Sequence, residues 1–346
     1  MDNLYRIPCS VAVGVGTALL ALRYLLQAVL GTSGKMKVSG KHCLVTGGSS
    51  GIGMEVAKQL AREGAHVTIA ARRQNALDAA LTEIEACRVS KGQTVQSVSV
   101  DVGDPTAVDR AMREAVAKQG AVQVLANCAG FAIARELEKL ATSEIERLFR
   151  VNTLGTAYVT RALLPGMKAA GGGKILFTSS MAGQTGIYGY TAYSASKFAL
   201  VGMAQALQME VKAYGIGVSV AYPPDTDTPG FKVENVGKPD ATKLMEEGGG
   251  MYSPAQVAKK IVQGLEAGSF CITVGVEGYL LGAGTAGFSP CFSVFDAVLQ
   301  TLLAGVFRAT ALVYSRKFYG IAANANRKKT ALGNTGTEAA EAKRSD

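Results

Sequence analysis

Short apolar runs alternate with longer amphipathic stretches through most of the chain. Four nearly continuous apolar runs are typical of strands that are buried on both faces: VTIAA, VQVLA, KILF and VSVAY. The stretches between them have the length and period of helices, and the longer ones cover 143–170, 192–214 and 254–267. The alternation predicts an α/β fold with a doubly wound parallel sheet that helices cover on both faces.

Two longer apolar segments flank this region, at 11–30 and at 278–307. The first is about long enough to cross a bilayer, although Arg23 and Gln27 make its second half costly to bury. A cleaved signal peptide is the alternative, but the segment lacks a strongly basic region before it. The second contains Pro290 and Asp296, and its alternatives are two short helices in one leaflet, a hairpin, or part of the soluble core. We favour interfacial or re-entrant insertion.

The net charge of +9 comes from the flanks of these apolar segments. Residues 42–307 hold 23 basic and 23 acidic side chains, whereas 23–41 contribute +4 and 308–346 contribute +5. Basic groups beside apolar segments are typical of proteins that meet anionic lipid head groups, so we expect a membrane surface as a partner and no nucleic acid. More positive charge follows 11–30 than precedes it, which places the following domain on the cytosolic side.

A glycine-rich turn, TGGSSGIG at 46–53, follows an apolar run and precedes a helical pattern. Gly47 permits a tight turn, Gly51 lets the backbone approach a pyrophosphate, and Gly53 allows the helix to pack against the strand. The free backbone N–H groups and the helix dipole then face the phosphates, which predicts a dinucleotide site in a Rossmann-type domain. The residues expected to bind the dinucleotide here are Gly47, Ser49, Ser50, Gly51, Ile52 and Gly53.

The ends of the next three predicted strands add specificity for the dinucleotide. Ala71 holds the position that is usually acidic where a ribose 2′-hydroxyl is bound, and Arg72 follows it. Arg72, with Arg73 as a second candidate, can pair with a 2′-phosphate, so we expect NADPH in preference to NADH, although a solvated arginine at a helix start is the alternative. Asp101 follows the third strand within reach of an adenine amino group, and Asn127 follows the fourth.

Tyr193 and Lys197 are four positions apart in YSASK, on one predicted helix. Side chains at this spacing share a helix face, and a neighbouring ammonium favours the phenolate, which brings the pKa of the tyrosine towards neutrality. Tyr193 could then protonate a carbonyl oxygen as a hydride reaches the carbon. A YxxxK string alone is more often a surface helix pair, so its meaning depends on the other motifs.

The motifs follow one another in a characteristic order: TGGSSGIG, NCAG, VNTLG, a serine pair and YSASK. In this order they resemble the short-chain dehydrogenase/reductase family, over about 41–268. The resemblance implies a Rossmann-type domain that transfers a hydride between a nicotinamide dinucleotide and a carbonyl or hydroxyl group.

The same resemblance implies a role for each motif residue. Tyr193 would be the acid, and Lys197 would hold the nicotinamide ribose and tune Tyr193. Ser180 would orient the carbonyl, with Ser179 as its competitor, whose other role is a hydrogen bond at a strand end. Asn152 would support a water relay, which is compatible with an amide that caps a local kink inside a helix.

The segment 221–231, AYPPDTDTPGF, stands where most members of the family carry a proline followed by a glycine. Its two prolines give a stiff start to a loop that would cross the nicotinamide. We expect Pro223, Thr226 and Thr228 of this loop to contact the cofactor.

Together with TAYSASKFAL and ALQMEVK, this loop resembles a branch of the family that reduces long-chain 3-keto sphingoid bases with NADPH. The resemblance implies a reductase in the endoplasmic reticulum membrane, with its catalytic domain facing the cytosol. The alternatives are a reductase of another lipid ketone, such as a steroid, a retinal or a 3-ketoacyl chain, and a non-catalytic membrane scaffold that retains the fold.

Asp225 and Asp227 are unexpected in this loop, because a carboxylate beside a cofactor phosphate is unfavourable unless it faces elsewhere. A sphingoid base carries an amine next to its ketone, and that amine is largely protonated near neutral pH. We hypothesise that one aspartate, Asp225 in preference to Asp227, pairs with the ammonium and sets the ketone against Tyr193. The equally weighted alternative is an aspartate that caps a turn by accepting backbone N–H bonds.

These patterns divide the chain into four regions. A membrane anchor with a basic flank (1–36) precedes the Rossmann-type domain (37–270), within which 234–250 is predicted as a mobile lid. An apolar membrane-associating segment (271–322) and a polar tail (323–346), predicted to be disordered, follow.

The six cysteines show no metal-ligand spacing, so reduced thiols and no zinc site are expected. The sequence leaves the oligomeric state open, including a homo-oligomer.

Overall fold

The computed structural model describes residues 34–247 and 250–342. Its centre is a parallel sheet of seven strands. The strands are β1 (His42–Thr46), β2 (His66–Ala71), β3 (Val95–Ser99), β4 (Val124–Asn127), β5 (Gly173–Thr178), β6 (Ile216–Tyr222) and β7 (Cys271–Thr273). They lie in the order β3-β2-β1-β4-β5-β6-β7, so the winding direction reverses between β1 and β4. Ligands of such sheets bind at this reversal, beyond the carboxyl ends of the strands. The predicted fold class is confirmed.

Helices cover both faces of the sheet. Within the described residues they are α1 (Gly51–Arg62), α2 (Gln74–Glu85), α3 (Pro105–Gln119), α4 (Thr142–Leu148), α5 (Thr156–Ala169), α6 (Thr191–Val211), α7 (Pro229–Glu234), α8 (Asp240–Glu246), α9 (Pro254–Ala267), α10 (Gly275–Gly284) and α11 (Val294–Ala342). A π-helical segment, Phe149–Gly155, joins α4 to α5.

Each strand contributes to two hydrophobic cores because successive side chains point to opposite faces of a sheet. In β5, Phe177 packs into the core beneath α5 and α6, and Leu176 packs into the core beneath α1 and α9. In β1, Leu44 joins the first core and Val45 joins the second. Burial on both faces explains why the strands are nearly continuous in apolar residues and do not alternate with polar ones.

The structure differs from the predicted long helix at 143–170 and from the predicted lid at 234–250. The helix contains the π-helical segment, where Gly155 lies so close to Val102 that a Cβ atom would be 2.8 Å from Val102 Cγ2. The lid region folds into the end of α7 and all of α8, while 248–249 lie outside the described residues. Ion pairs and buried side chains, described below, stabilise it in spite of its glycine and charge content.

The C-terminal region also differs from its predicted boundaries. Cys271–Thr273 forms β7 and pairs with β6, so the apolar segment expected to begin at 271 starts inside the sheet. A strand of only three residues is hard to distinguish from the apolar sequence that follows it. Helix α11 continues to Ala342 through the tail that we predicted to be disordered, where alanine and other good helix formers are frequent.

Helix α10 packs against α11 in a hairpin, and the Tyr279 hydroxyl donates a 2.6 Å hydrogen bond to Asp296 Oδ1 across it. This pairing explains how an aspartate is accommodated in an apolar segment. Val294–Ala325 of α11 is long and apolar enough to cross a membrane, by length and composition alone, and its most apolar part is not buried in the protein. The predicted anchor at 11–30 lies outside the described residues.

Candidate active site

The glycine-rich turn between β1 and α1 is held against the loop that follows β4. Gly47 and Gly51 adopt left-handed conformations, with φ of 68° and 57°. A Cβ atom on Gly47 would lie 2.9 Å from the backbone of Ala129, and one on Gly53 would lie 2.4 Å from the Gly47 carbonyl oxygen. The Ser50 side chain does not cap α1, so the first N–H groups of α1 remain for an anion. The turn therefore fits a dinucleotide pyrophosphate.

The other predicted dinucleotide residues lie at the same edge of the sheet. Arg72 follows β2 directly and is exposed, and its carbonyl oxygen accepts a hydrogen bond from Ser99 Oγ. Asp101 is exposed after β3 and accepts a hydrogen bond from the Gly103 N–H. Asn127 ends β4 and is 2% exposed. Its Oδ1 atom is buried and has no hydrogen-bond partner among the described residues, which is expected of a group that a ligand satisfies.

Helix α6 is fastened to the end of β5 by two buried hydrogen bonds. Lys197 Nζ donates to the Thr178 carbonyl oxygen at 2.8 Å, and Ser179 Oγ donates to the Lys197 carbonyl oxygen at 2.9 Å. Ser180 Oγ, by contrast, accepts a 3.1 Å hydrogen bond from the Ala182 N–H, and its hydroxyl lies near enough to Tyr193 to lower the pKa of that phenol. Of the two candidate serines, Ser179 therefore has the strand-end contact, and Ser180 is the one beside the phenol.

The pKa of Tyr193 differs from the sequence-based expectation. Burial raises this pKa, and the carboxylate of Glu234 raises it further. Lys197 does not offset the effect, because its ammonium bonds to Thr178 and lies 5.8 Å from the centre of the Tyr193 ring. Burial also lowers the pKa of Lys197 to about 8. The phenol is therefore protonated at neutral pH, which is the form that can donate a proton.

Asn152 connects the π-helical segment to two other parts of the site. Its amide donates to the Phe131 carbonyl oxygen at 2.9 Å and to Ser196 Oγ at 3.0 Å, and its Oδ1 accepts from the Phe131 N–H. A Cβ atom on Gly130 would be 3.1 Å from Asn152 Oδ1 and 3.3 Å from Lys197 Nζ. The structure thus brings Asn152 and Lys197 together at the loop after β4.

The residues of the loop after β6 that were predicted to bind the cofactor differ in their contacts. The Pro223 carbonyl oxygen accepts from the Met181 N–H, next to Ser180. The Thr226 hydroxyl is buried and donates to the Pro224 carbonyl oxygen, so its side chain is used within the loop. Thr228 caps α7, and its Cγ2 atom would be 3.2 Å from a Cβ atom on Gly51. Thr228 therefore lies against the glycine-rich turn.

Asp225 is half-buried, whereas Asp227 is exposed. Burial raises the pKa of Asp225 to about 6; Glu246 and Glu234 contribute in the same direction, and Lys238 opposes them. Among the described residues, no N–H group donates to the Asp225 carboxylate, so the predicted turn-capping alternative has no hydrogen bond to support it. The charge of Asp225 also raises the pKa of Tyr193, so the two groups share one electrostatic environment.

Four residues beside Tyr193 were not predicted from the sequence: Tyr190, Glu234, Lys238 and Glu246. We call them the Lys238 cluster. The spacing of Glu234 and Lys238, four positions apart, is a signal for an ion pair on a helix. It did not indicate a functional position, because such pairs are common on solvated surfaces.

Comparison with known proteins agrees with this geometry. A family model described as short chain dehydrogenase matches residues 41–238. A 3-dehydrosphinganine reductase from Danio rerio and a 3-ketodihydrosphingosine reductase from Bos taurus are each 43% identical over 88% of this chain and 92% of their own. The crystal structure of L-sorbose reductase from Gluconobacter frateurii, complexed with NADPH and L-sorbose, is similar with a TM-score of 0.60 and 26% identity, over 69% of this chain and 94% of that chain.

The glycine-rich turn gives the first prediction. In Gly53→Ala, the added Cβ atom would press on the Gly47 carbonyl oxygen and distort the turn, so NADPH should bind at least about tenfold more weakly in a fluorescence titration. Gly166→Ala is the matched control, since a Cβ atom there has nothing within 4 Å. If both variants keep the wild-type melting temperature and bind NADPH equally well, this turn does not hold the pyrophosphate.

Proposed function

Because this chain belongs to the short chain dehydrogenase family, we propose that it reduces 3-ketodihydrosphingosine to dihydrosphingosine (sphinganine) with NADPH. The observation that carries the proposal is the position of Asp225, a half-buried carboxylate that acts electrostatically on the reacting phenol. A sphingoid ketone carries an ammonium beside its carbonyl, and a steroid or 3-ketoacyl chain does not. The names of the two vertebrate relatives support the same substrate.

Bound NADPH would supply the hydride that reaches the carbonyl carbon of the substrate. The residues proposed to hold it lie along the carboxyl edge of the sheet: Gly47, Ser49, Ser50, Gly51, Ile52, Gly53, Arg72, Asp101, Asn127, Tyr193, Lys197, Pro223, Thr226 and Thr228. The uncapped start of α1 and the unsatisfied Asn127 Oδ1 are the features that best fit such a ligand.

The proton reaches the substrate oxygen from Tyr193 in this proposal. The raised pKa of Tyr193 keeps its phenol protonated until charge develops on the carbonyl oxygen, and Ser180 donates a second hydrogen bond to that oxygen. Lys197, beside Asn152, would bind the nicotinamide ribose and return a proton to the phenolate. Asn152 would hold the loop after β4 and connect the site to solvent water.

Asp225 would pair with the substrate ammonium. A half-buried carboxylate with a raised pKa is unfavourable alone, and a cation beside it would offset the cost of its burial. The pairing would fix the ketone at the correct distance from Tyr193.

A lipid surface is the second proposed partner. The substrate dissolves in a bilayer, and α11 offers a helix with the length and composition to enter one. The basic residues that flank the apolar segments support a catalytic domain on the cytosolic side of its membrane, and we propose that this membrane is that of the endoplasmic reticulum.

The proposed acid gives the second prediction. Tyr193→Phe removes the proton donor and keeps the ring, so kcat should fall by about two to four orders of magnitude while NADPH binding changes little. The measurement is NADPH oxidation by the purified protein in lipid, with 3-ketodihydrosphingosine at saturation. Turnover close to wild type would show that another group supplies the proton.

Cofactor preference gives the third prediction. The double variant Ala71→Asp with Arg72→Ala exchanges a phosphate-binding cation for an acceptor of the ribose 2′-hydroxyl, so the ratio of kcat/KM for NADPH over NADH should fall at least about tenfold. Arg73→Ala, at the neighbouring exposed arginine, is the comparison variant. An unchanged ratio in the double variant would exclude Arg72 as the phosphate ligand.

Recognition of the amine gives the fourth prediction. Asp225→Asn should lower kcat/KM for the free amine by about tenfold to a hundredfold, and should change kcat/KM for the N-acetylated substrate much less. Asp227→Asn is the matched control, because Asp227 is exposed in the same loop. Equal losses on both substrates would leave Asp225 with a purely structural role.

A further inference from the structure

The side chain of Lys238 lies in the turn between α7 and α8 and is 0% exposed. Its ammonium forms ion pairs with Glu234 at 3.2 Å and with Glu246 at 2.9 Å. It also lies 4.7 Å from the ring centre of Phe231 and 5.6 Å from that of Tyr190. Two carboxylates and two aromatic faces therefore enclose one cation that comes from the chain itself.

Tyr190 connects this enclosed cation to α6. Its hydroxyl shares one proton between Glu246, at 3.0 Å, and Glu234, so the phenol and the ammonium contact the same two carboxylates. Tyr190 immediately precedes α6, and its ring centre lies 5.3 Å from that of Tyr193. The Lys238 cluster is thus in direct contact with the residue proposed as the acid.

A second contact fastens α8 to the same place. Thr242 of α8 is fully buried, and its hydroxyl donates to the Tyr188 carbonyl oxygen at 2.7 Å, two residues before Tyr190. Helices α7 and α8 are therefore bound at two points to the segment that leads into α6. Any force that moves them acts on the position of Tyr193.

Lys238 offsets part of the negative charge of this region. Glu234, Glu246 and Asp225 all act on Tyr193, and Glu234 also acts on Lys197. Lys238 and Tyr190 satisfy the two glutamates, whereas no hydrogen bond to the Asp225 carboxylate occurs among the described residues. One ammonium thus pairs with two of the three carboxylates and halves their combined charge, and the third carboxylate remains for a ligand.

We propose that Lys238 is a positioning residue: its ammonium pairs with both Glu234 and Glu246 and so halves their combined charge, fixes α7 and α8 against the start of α6, and leaves Asp225 to bind the substrate ammonium. The role assigned to Asp225 rests on the proposed function, whereas the effect of Lys238 on the groups of α6 does not. A positioning residue of this kind sets the electrostatic field at Lys197 and Tyr193 without contacting substrate or cofactor.

The titration of Lys197 provides a test. Its ammonium faces Tyr193 on the same helix, Cys128 after β4, and Glu234 on α7, together with the Thr178 carbonyl oxygen. Burial lowers its pKa to about 8, and Glu234 acts in the opposite direction. In the proposed function the charged form of Lys197 binds the nicotinamide ribose, so NADPH affinity should decrease as pH rises through this pKa. Additional negative charge should move the decrease to higher pH.

The experiment measures the NADPH dissociation constant from pH 6 to pH 10 (about the range needed to bracket this pKa) in four variants. Lys238→Met leaves the glutamates unneutralised, so the midpoint should move up by at least about half a pH unit. Glu234→Gln removes a carboxylate, so the midpoint should move down. Lys238→Met combined with Glu234→Gln should return close to wild type. Lys243→Met is the matched control, because Lys243 lies nearby on α8 in an exposed ion pair, and it should change nothing.

Opposite shifts in the two single variants would support the proposal, because general loosening of the fold would move both midpoints in the same direction. Wild-type midpoints in both single variants, or shifts of the same sign, would overturn it. If Lys238→Met does not fold, comparison of the double variant with Glu234→Gln still gives the direction in which the loss of Lys238 moves the midpoint. The binding measurement needs no turnover, so a wild-type protein that binds NADPH but leaves 3-ketodihydrosphingosine unreduced would refute the proposed function and not this role of Lys238.

Discussion

The hydrogen bond from Lys197 to the Thr178 carbonyl oxygen, with its partner from Ser179 to the Lys197 carbonyl oxygen, fixes α6 against the carboxyl end of β5. That edge of the sheet is also where the turn after β1 and the loop after β4 meet. The distance between a dinucleotide bound at the turn and a phenol on α6 therefore depends on hydrogen bonds between side chains and the backbone at this edge of the sheet.

Burial sets the electrostatics of the site more than the direct pairing of Tyr193 with Lys197 does. It raises the pKa of the phenol and lowers that of the ammonium, so both groups lie closer to their neutral forms than in water. Glu234 and Glu246 strengthen the first effect, and Glu234 opposes the second. Since α11 also packs against α8, α11 and the segment that leads into α6 contact the same short helix.

The sequence was sufficient for the parts of the protein that depend on local pattern. The buried strands, the glycine-rich turn and the spacing of Tyr193 and Lys197 follow from period, conformation and helix geometry, and the structure places these residues at one edge of the sheet. The Lys238 cluster was missed because its members become neighbours only through tertiary packing of a segment that is rich in charge. The predicted direction of the Tyr193 pKa shift was wrong, because the spacing of Tyr193 and Lys197 does not show which group the ammonium bonds to.

The central claim is that a ketone with a neighbouring ammonium is the substrate. The most direct measurement supplies NADPH deuterated at the transferable position to a mixture of 3-ketodihydrosphingosine, a steroid ketone and a 3-ketoacyl chain at equal concentration, with the protein in lipid, and follows the products by mass spectrometry. We expect deuterium at C3 of dihydrosphingosine, formed at least about tenfold faster than either other product. Faster labelling of the steroid or of the 3-ketoacyl chain would contradict the account.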